Sequence, residues 1–140
     1  MEIDGKLQPW EWLVTDDGRL LKTDAVDHHA AHDLVGCQDI AWDIAGAGVE
    51  LGLTPMEQRT MCAIVSKCSG RPVDPNLLRF MTMSYAAFQI GRCTLAGEMT
   101  WSKDVEGIRL SRARQRYEQH VLSLVNERGY RDLEFADASL

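Results

Sequence analysis

Helical periodicity from position 39 onward limits the fold of this chain more than any other feature of its sequence. Apolar residues recur there at intervals of three and four, the spacing of one face of an α-helix, so a first helix is predicted over 39–52. Thr54, Pro55 and Glu57 then supply an N-cap, a first-turn proline and the acid of a capping box. These signals predict a second helix that ends near Gly70.

Two longer helices are predicted in the second half of the chain. The pair Asp74-Pro75 repeats the start signal, and apolar residues at helical spacing continue from there to Gly97. Ser102 and Asp104 are both candidates for the cap of the last helix, which we expect to stop before Gly129. The remaining residues are expected to form an acidic tail that frays.

The first 36 residues have a different pattern, which indicates one β-hairpin. The runs Trp12–Thr15 and Leu20–Thr23 flank Asp16–Arg19, in which an Asp-Gly pair supplies the positive backbone angle of a tight turn. A hairpin alone is too small to be stable, so it must pack on the helices. The predicted fold class is therefore α+β, mostly α, with a short N-terminal β-hairpin packed on about four helices.

Composition bounds both the size of the fold and its partners. A chain of 140 residues, 45% of them hydrophobic, can form one core, and we predict a single domain over 1–140. Residues 1–36 would hold the hairpin and flanking loops, 37–128 a helical bundle and 129–140 the tail. A net charge of −6 argues against nucleic acid, whose binders need clustered Lys and Arg. With no apolar run of membrane-span length and no signal peptide, a soluble cytoplasmic protein is expected.

Three carboxylates near the hairpin and the first helix are candidate functional residues. Asp24 ends a short apolar run, and an acid at the end of a strand is a natural ligand for Mg²⁺, which prefers oxygen donors and shares them with substrate phosphates. Asp39 and Asp43 lie one helical turn apart on one face. Asp39 is also placed to accept the free amide protons of the first turn. We assign chemistry to Asp24 and structural roles to Asp39 and Asp43.

The segment Asp39–Ala45, Asp-Ile-Ala-Trp-Asp-Ile-Ala, carries a resemblance to a known family. It is similar to the Asp-Pro-x-x-Asp-Leu-Ala segment in the C-terminal lobe of the aminoglycoside phosphotransferase and choline kinase-like family. In that family the preceding hairpin delivers a magnesium-binding Asp, which Asp24 resembles, and Tyr85–Gly91 resembles the aromatic-rich helix that follows. The resemblance implies Mg²⁺, ATP and a small-molecule substrate. It also implies an N-terminal lobe that holds ATP, which this sequence does not contain and which would be a partner.

A catalytic loop of the form His-Gly-Asp-x-x-x-x-Asn precedes the hairpin in that family, and Asp4–Glu11 occupies its place here. Lys6 falls where the catalytic Asp would be, and Glu11 falls where the metal-binding Asn would be. A glutamate can still bind Mg²⁺, whereas a lysine cannot accept a proton from a substrate hydroxyl at neutral pH. The resemblance thus implies Asp24 and Glu11 as catalytic, metal-binding residues. Either Glu11 or Asp4 acts as base, or this branch has lost ordinary phosphoryl transfer.

These residues predict a C-terminal fragment or degenerate relative of an ATP-dependent small-molecule phosphotransferase that is inactive on its own. An alternative is a metal-dependent hydrolase. His28, His29, His32 and Asp33 follow Asp27 in one short stretch, and their imidazole and carboxylate groups suit zinc, manganese or iron. The Asp-His-His tripeptide also resembles a signature of the DHH phosphoesterases, although the parallel sheet of that family is not predicted here.

A third hypothesis is a non-enzymatic helical interaction module, such as an obligate partner of a separate N-terminal lobe. It predicts an exposed apolar surface where that lobe would pack, and self-association or poor solubility when the chain is expressed alone.

Overall fold

A computed structural model describes residues 3–23, 38–99 and 104–137 of the chain. The elements in chain order are a 3-10 turn, Pro9–Glu11; strands β1, Trp12–Val14, and β2, Leu20–Lys22; and helices α1, Ala41–Leu51, α2, Pro55–Ser69, α3, Pro75–Glu98, and α4, Val105–Asp137. A short N-terminal hairpin is therefore followed by four helices within the described ranges. The predicted class, α+β and mostly α, is confirmed.

The hairpin forms where the Asp-Gly pair predicts it. β1 and β2 pair antiparallel, with Leu13 opposite Leu21. Gly18 adopts a φ of 79°, a conformation that costs glycine little, and its N–H donates to the carbonyl of Thr15 at 2.8 Å. The N–H of Thr15 in turn donates to the carbonyl of Arg19 at 2.9 Å and closes the loop.

The helix boundaries follow their predicted signals. The Asp39 carboxylate accepts the N–H of Ala41 at 3.0 Å, before α1. Thr54 and Glu57 form a reciprocal capping box at the start of α2. At α4 the cap is Asp104, whose carboxylate accepts the N–H of Gly107 at 2.7 Å, whereas Ser102 lies outside the described residues.

The predicted end of the last helix is wrong. α4 continues past Gly129 to Asp137, through most of the segment expected to be a tail. One glycine inside a helix costs only about 1 kcal/mol relative to alanine. The residues that follow it include Arg131, Leu133, Glu134 and Ala136, which favour helices, and none is proline.

The chain divides into two compact units, Met1–Thr82 and Met83–Leu140. In the first unit the buried apolar side chains come from the loop before the hairpin and from α1: Ile3, Leu7, Ala41, Trp42, Ile44, Ala45 and Ala47. α1 and α2 are in contact, and the amide of Gln58 lies close to Gly48. In the second unit Tyr85, Ala86 and Tyr117 are buried. The prediction of one domain stays a prediction.

None of the helices in the described ranges combines the length and the apolar character needed to cross a bilayer.

Candidate functional site

The loop before the hairpin is attached to the start of α1 by Asp43. Its two carboxylate oxygens accept the backbone N–H groups of Asp4 and Gly5, each at 2.9 Å, across 39 and 38 residues of sequence. Gly5 has a φ of 70°, the left-handed region that glycine adopts at little cost. One side chain therefore fixes the backbone at the beginning of the loop before the hairpin.

The environment of the Asp43 carboxyl changes its pKa. Burial raises the pKa, because desolvation penalises the charged form. The N–H groups of Gly5 and Asp4 oppose that rise, the negative charge of Asp4 adds to it, and the positive charge of Lys22 opposes it. The net direction is upward from the ordinary value of 3.8.

This raised pKa predicts a specific pH dependence of stability. Because the folded state holds the proton of Asp43 more tightly than the unfolded state does, protonation of Asp43 stabilises the fold. This stabilisation is fully present below the unfolded-state pKa of about 3.9, and it is lost as the pH rises through the higher folded-state pKa. We therefore expect the stability advantage of the wild type over Asp43→Asn to shrink from about pH 4 upward. Urea unfolding of both proteins across this range measures it. An advantage that grows with pH would mean that the pKa is lowered.

Four charged side chains form a second feature of the loop, which we call the Lys22 cluster: Asp4, Lys6, Glu11 and Lys22. The Nζ atom of Lys22 lies 3.3 Å from Asp4 Oδ1 and 3.9 Å from Glu11 Oε2. The Nζ atom of Lys6 lies 3.4 Å from Glu11 Oε1. The cluster joins the loop to β2, and both carboxylate oxygens of Glu11 face ammonium groups.

Glu11 lies at the junction of the loop and the hairpin. Its side chain is only 9% exposed, and its backbone carbonyl accepts both the N–H and the hydroxyl of Thr23, at 2.9 and 3.0 Å. Each oxygen of the Glu11 carboxylate thus already faces an ammonium group, Oε1 that of Lys6 and Oε2 that of Lys22.

Gln8 is a further unusual residue of the loop. It is 1% exposed, and neither atom of its side-chain amide has a hydrogen-bond partner within the described part of the chain. Burial of an amide without partners is costly, so Gln8 is an unfavourable feature of the loop as described. Nothing in the sequence distinguished Gln8 from an exposed loop residue.

Several predicted site residues lie outside the described residues. They are Asp24 and the members of the histidine-rich stretch, Asp27, His28, His29, His32 and Asp33. Their predicted roles in magnesium binding or in a metal cluster stay predictions. Among the residues that the structure does describe, no three His, Cys, Asp or Glu side chains are grouped so that they could hold a metal ion.

Asp39 and Asp43, predicted to share a helix face, have different partners. Asp39 accepts an N–H of its own helix start and lies 4.0 Å from Arg71 Nη2, an exposed pair. Asp43 bonds to the distant loop. The sequence contained no signal for that partner, because helical spacing identifies a face and not the segment that covers it.

The second unit contains a separate cavity of about 290 Å³. It lies between the end of α3 and the start of α4, and its polar lining includes Cys93, Glu98, Ser111 and Arg114. Arg114 is also paired with Glu118 at 3.3 Å. This cavity contains none of the predicted site residues.

Comparison with known protein families, with curated proteins and with solved structures finds no match to this chain.

Proposed function

We propose that this chain is the C-terminal portion, or a degenerate relative, of an ATP-dependent small-molecule phosphotransferase with a kinase-like fold, and that it is inactive on its own. The observation that carries the proposal is the pair of hydrogen bonds from Asp4 and Gly5 to Asp43. The sequence resemblance rests on Asp24, the helix opening 39–45 and the helix segment 85–91, and it assigns the place of the catalytic loop to residues 4–11. A site built from the loop and the helix opening requires them to be held together, and Asp43 does so.

Inactivity follows from the chemistry of the loop. Lys6 stands at the position that the resemblance gives to the catalytic Asp, and its ammonium lies 3.4 Å from Glu11. An ammonium group has no lone pair with which to accept the proton of a substrate hydroxyl. Glu11 and Asp4, the other two candidates, both face ammonium groups: Glu11 those of Lys6 and Lys22, and Asp4 that of Lys22.

The residues described do not fit the Mg²⁺ ion that the resemblance implies. A magnesium ligand must approach the ion to about 2.1 Å. At Glu11 the adjoining space is taken by ammonium groups 3.4 and 3.9 Å away, so a cation there would have to displace them. We therefore derive no magnesium-dependent step for this chain, and we assign Mg²⁺ and ATP to the complete relative.

The proposal predicts that the purified chain does not turn over ATP. With Mg-ATP and a panel of small alcohols and amino sugars, ADP formation should equal that of the Glu11→Gln variant and of buffer alone. A coupled assay for ADP measures the rate. Turnover of about 1 per second or faster, the range of active kinases, that Glu11→Gln abolishes would contradict the proposal.

A second candidate function, a non-enzymatic interaction module, is favoured by the exposed hairpin. Leu13 and Leu21, which face each other across the strands, are 59% and 46% exposed, and Val14 and Leu20 are 73% and 58% exposed. Adjacent residues of a strand point to opposite faces, so both faces present apolar side chains. Clustered exposed apolar side chains are typical of a protein interface.

This candidate predicts self-association that depends on the hairpin. Sedimentation velocity of the wild type should give a concentration-dependent sedimentation coefficient, and Leu13→Ser with Leu21→Ser should abolish the dependence. A matched control is Ile64→Ser, on α2, where the replaced side chain is also 58% exposed. If all three proteins sediment as the same monomer, the module hypothesis is wrong. Sequencing upstream of Met1 tests the fragment hypothesis separately, since a glycine-rich strand turn followed by a lysine is expected there.

A further inference from the structure

Lys22 has surroundings unlike those of an ordinary surface lysine. Its side chain is 11% exposed, its ammonium lies 3.3 Å from Asp4 and 3.9 Å from Glu11, and the ring centroid of Trp12 is 5.9 Å away. These neighbours are two carboxylates and an aromatic face, all of which attract a cation. Long lysine side chains normally keep their charged end in water, so this burial needs a reason.

The carboxylate oxygens around Lys22 lie at ion-pair distances from its ammonium nitrogen. Hydrogen-bonded or ion-paired nitrogen and oxygen atoms lie about 3 Å apart, whereas Mg²⁺ holds its oxygen ligands at about 2.1 Å. The distance from Lys22 Nζ to Asp4 Oδ1, 3.3 Å, is close to the first case, and Glu11 Oε2 lies further away at 3.9 Å, within ion-pair range.

We infer that Lys22 serves as the internal cation of this loop. Its ammonium, delivered by strand β2, supplies to Asp4 and Glu11 the positive charge that a divalent metal would supply in an oxygen-donor site. The inference goes beyond the proposed function and does not rest on it, because it depends only on the residues that surround one side chain.

Lys6 has a smaller part in this arrangement. Its side chain is 32% exposed, and its ammonium contacts Glu11, a residue of the same loop. Lys22 instead joins strand β2 to two carboxylates of the loop, Asp4 and Glu11, which precede it by 18 and 11 residues. Exposed ion pairs contribute little to stability, whereas removal of one partner from a buried group leaves the others uncompensated. We therefore expect replacement of Lys22 to destabilise the loop more than replacement of Lys6.

The first test is direct titration of the full-length chain with Mn²⁺, followed by electron paramagnetic resonance of the free ion. Mn²⁺ prefers the same oxygen ligands as Mg²⁺ and is observed directly. We expect the wild type and Glu11→Gln to bind the same number of Mn²⁺ ions, because Glu11 is occupied by ammonium groups. One more Mn²⁺ per chain in the wild type than in Glu11→Gln would overturn the inference.

The second test is a double-mutant cycle between Lys22→Met and Asp4→Asn. Lys22→Met should lower the thermal midpoint by about 5 °C, and Lys67→Met, at an exposed lysine of α2, by no more than about 2 °C. In the Lys22→Met background, Asp4→Asn should lower the thermal midpoint by less than half as much as it does in the wild type. If the two substitutions lower the midpoint additively, the inference is overturned. If Lys22→Met does not fold, Lys22→Arg replaces it, and a midpoint within about 2 °C of wild type is then expected because the charge is retained.

Discussion

Replacing Asp43 with alanine should lower the free energy of unfolding by about 3 kcal/mol at neutral pH. The carboxylate accepts two backbone N–H groups, and hydrogen bonds to a charged acceptor contribute about 1.5 kcal/mol each. Asp43→Asn should lie between alanine and the wild type, since the amide keeps one acceptor oxygen. Urea unfolding followed by circular dichroism measures all three proteins.

The control for this prediction is Asp16→Ala, in the turn of the hairpin. Asp16 is exposed, so the same substitution there should change the free energy of unfolding by less than about 0.5 kcal/mol. Equal effects at the two positions would show that Asp43 does not hold the loop.

The second large effect is expected at Ile44, the next residue of α1. Its side chain is 2% exposed, and Ile44→Ala should cost about 3 kcal/mol because it removes buried apolar atoms and leaves a cavity. Ile44→Val should cost about 1 kcal/mol. The same urea measurement applies. A matched control is Ile64→Ala on α2, where the side chain is 58% exposed and the change should stay within about 0.5 kcal/mol.

If Ile44→Ala and Ile64→Ala were equally destabilising, α1 would not be the central element of the first unit. The two substitutions are well matched, because each removes the same side-chain atoms from an isoleucine that lies within a helix and away from its ends.

Much of the fold could be predicted because its signals are local. The Asp-Gly pair before Arg19 determines the hairpin turn, and Thr54 with Glu57 determines the start of α2. Each signal acts through bonds within four residues, so neighbouring sequence is enough to recognise it. The end of α4 was missed because a single glycine is a weak stop signal when helix-favouring residues follow it.

The candidate site was predicted less completely, because its contacts are distant in sequence. Asp43 was assigned a structural role from its position on α1, but its bonds to Asp4 and Gly5 cross nearly forty residues. Lys22 was not singled out at all, since a lysine at the end of a strand is ordinarily solvent-exposed. The magnesium role of Asp24, outside the described residues, stays a prediction.

The link from Asp43 to the loop has a consequence for the order of assembly. The hydrogen bond between Asp4 and Asp43 closes a loop across 39 residues of sequence, and closing such a loop costs a large amount of conformational entropy. We therefore expect this bond to form after the local turn and the first helix. Loss of a contact that forms late accelerates unfolding and leaves the refolding rate nearly unchanged. Stopped-flow kinetics of Asp43→Ala should therefore differ from the wild type in the unfolding limb, and the amino-terminal residues should be the first to become accessible to a protease.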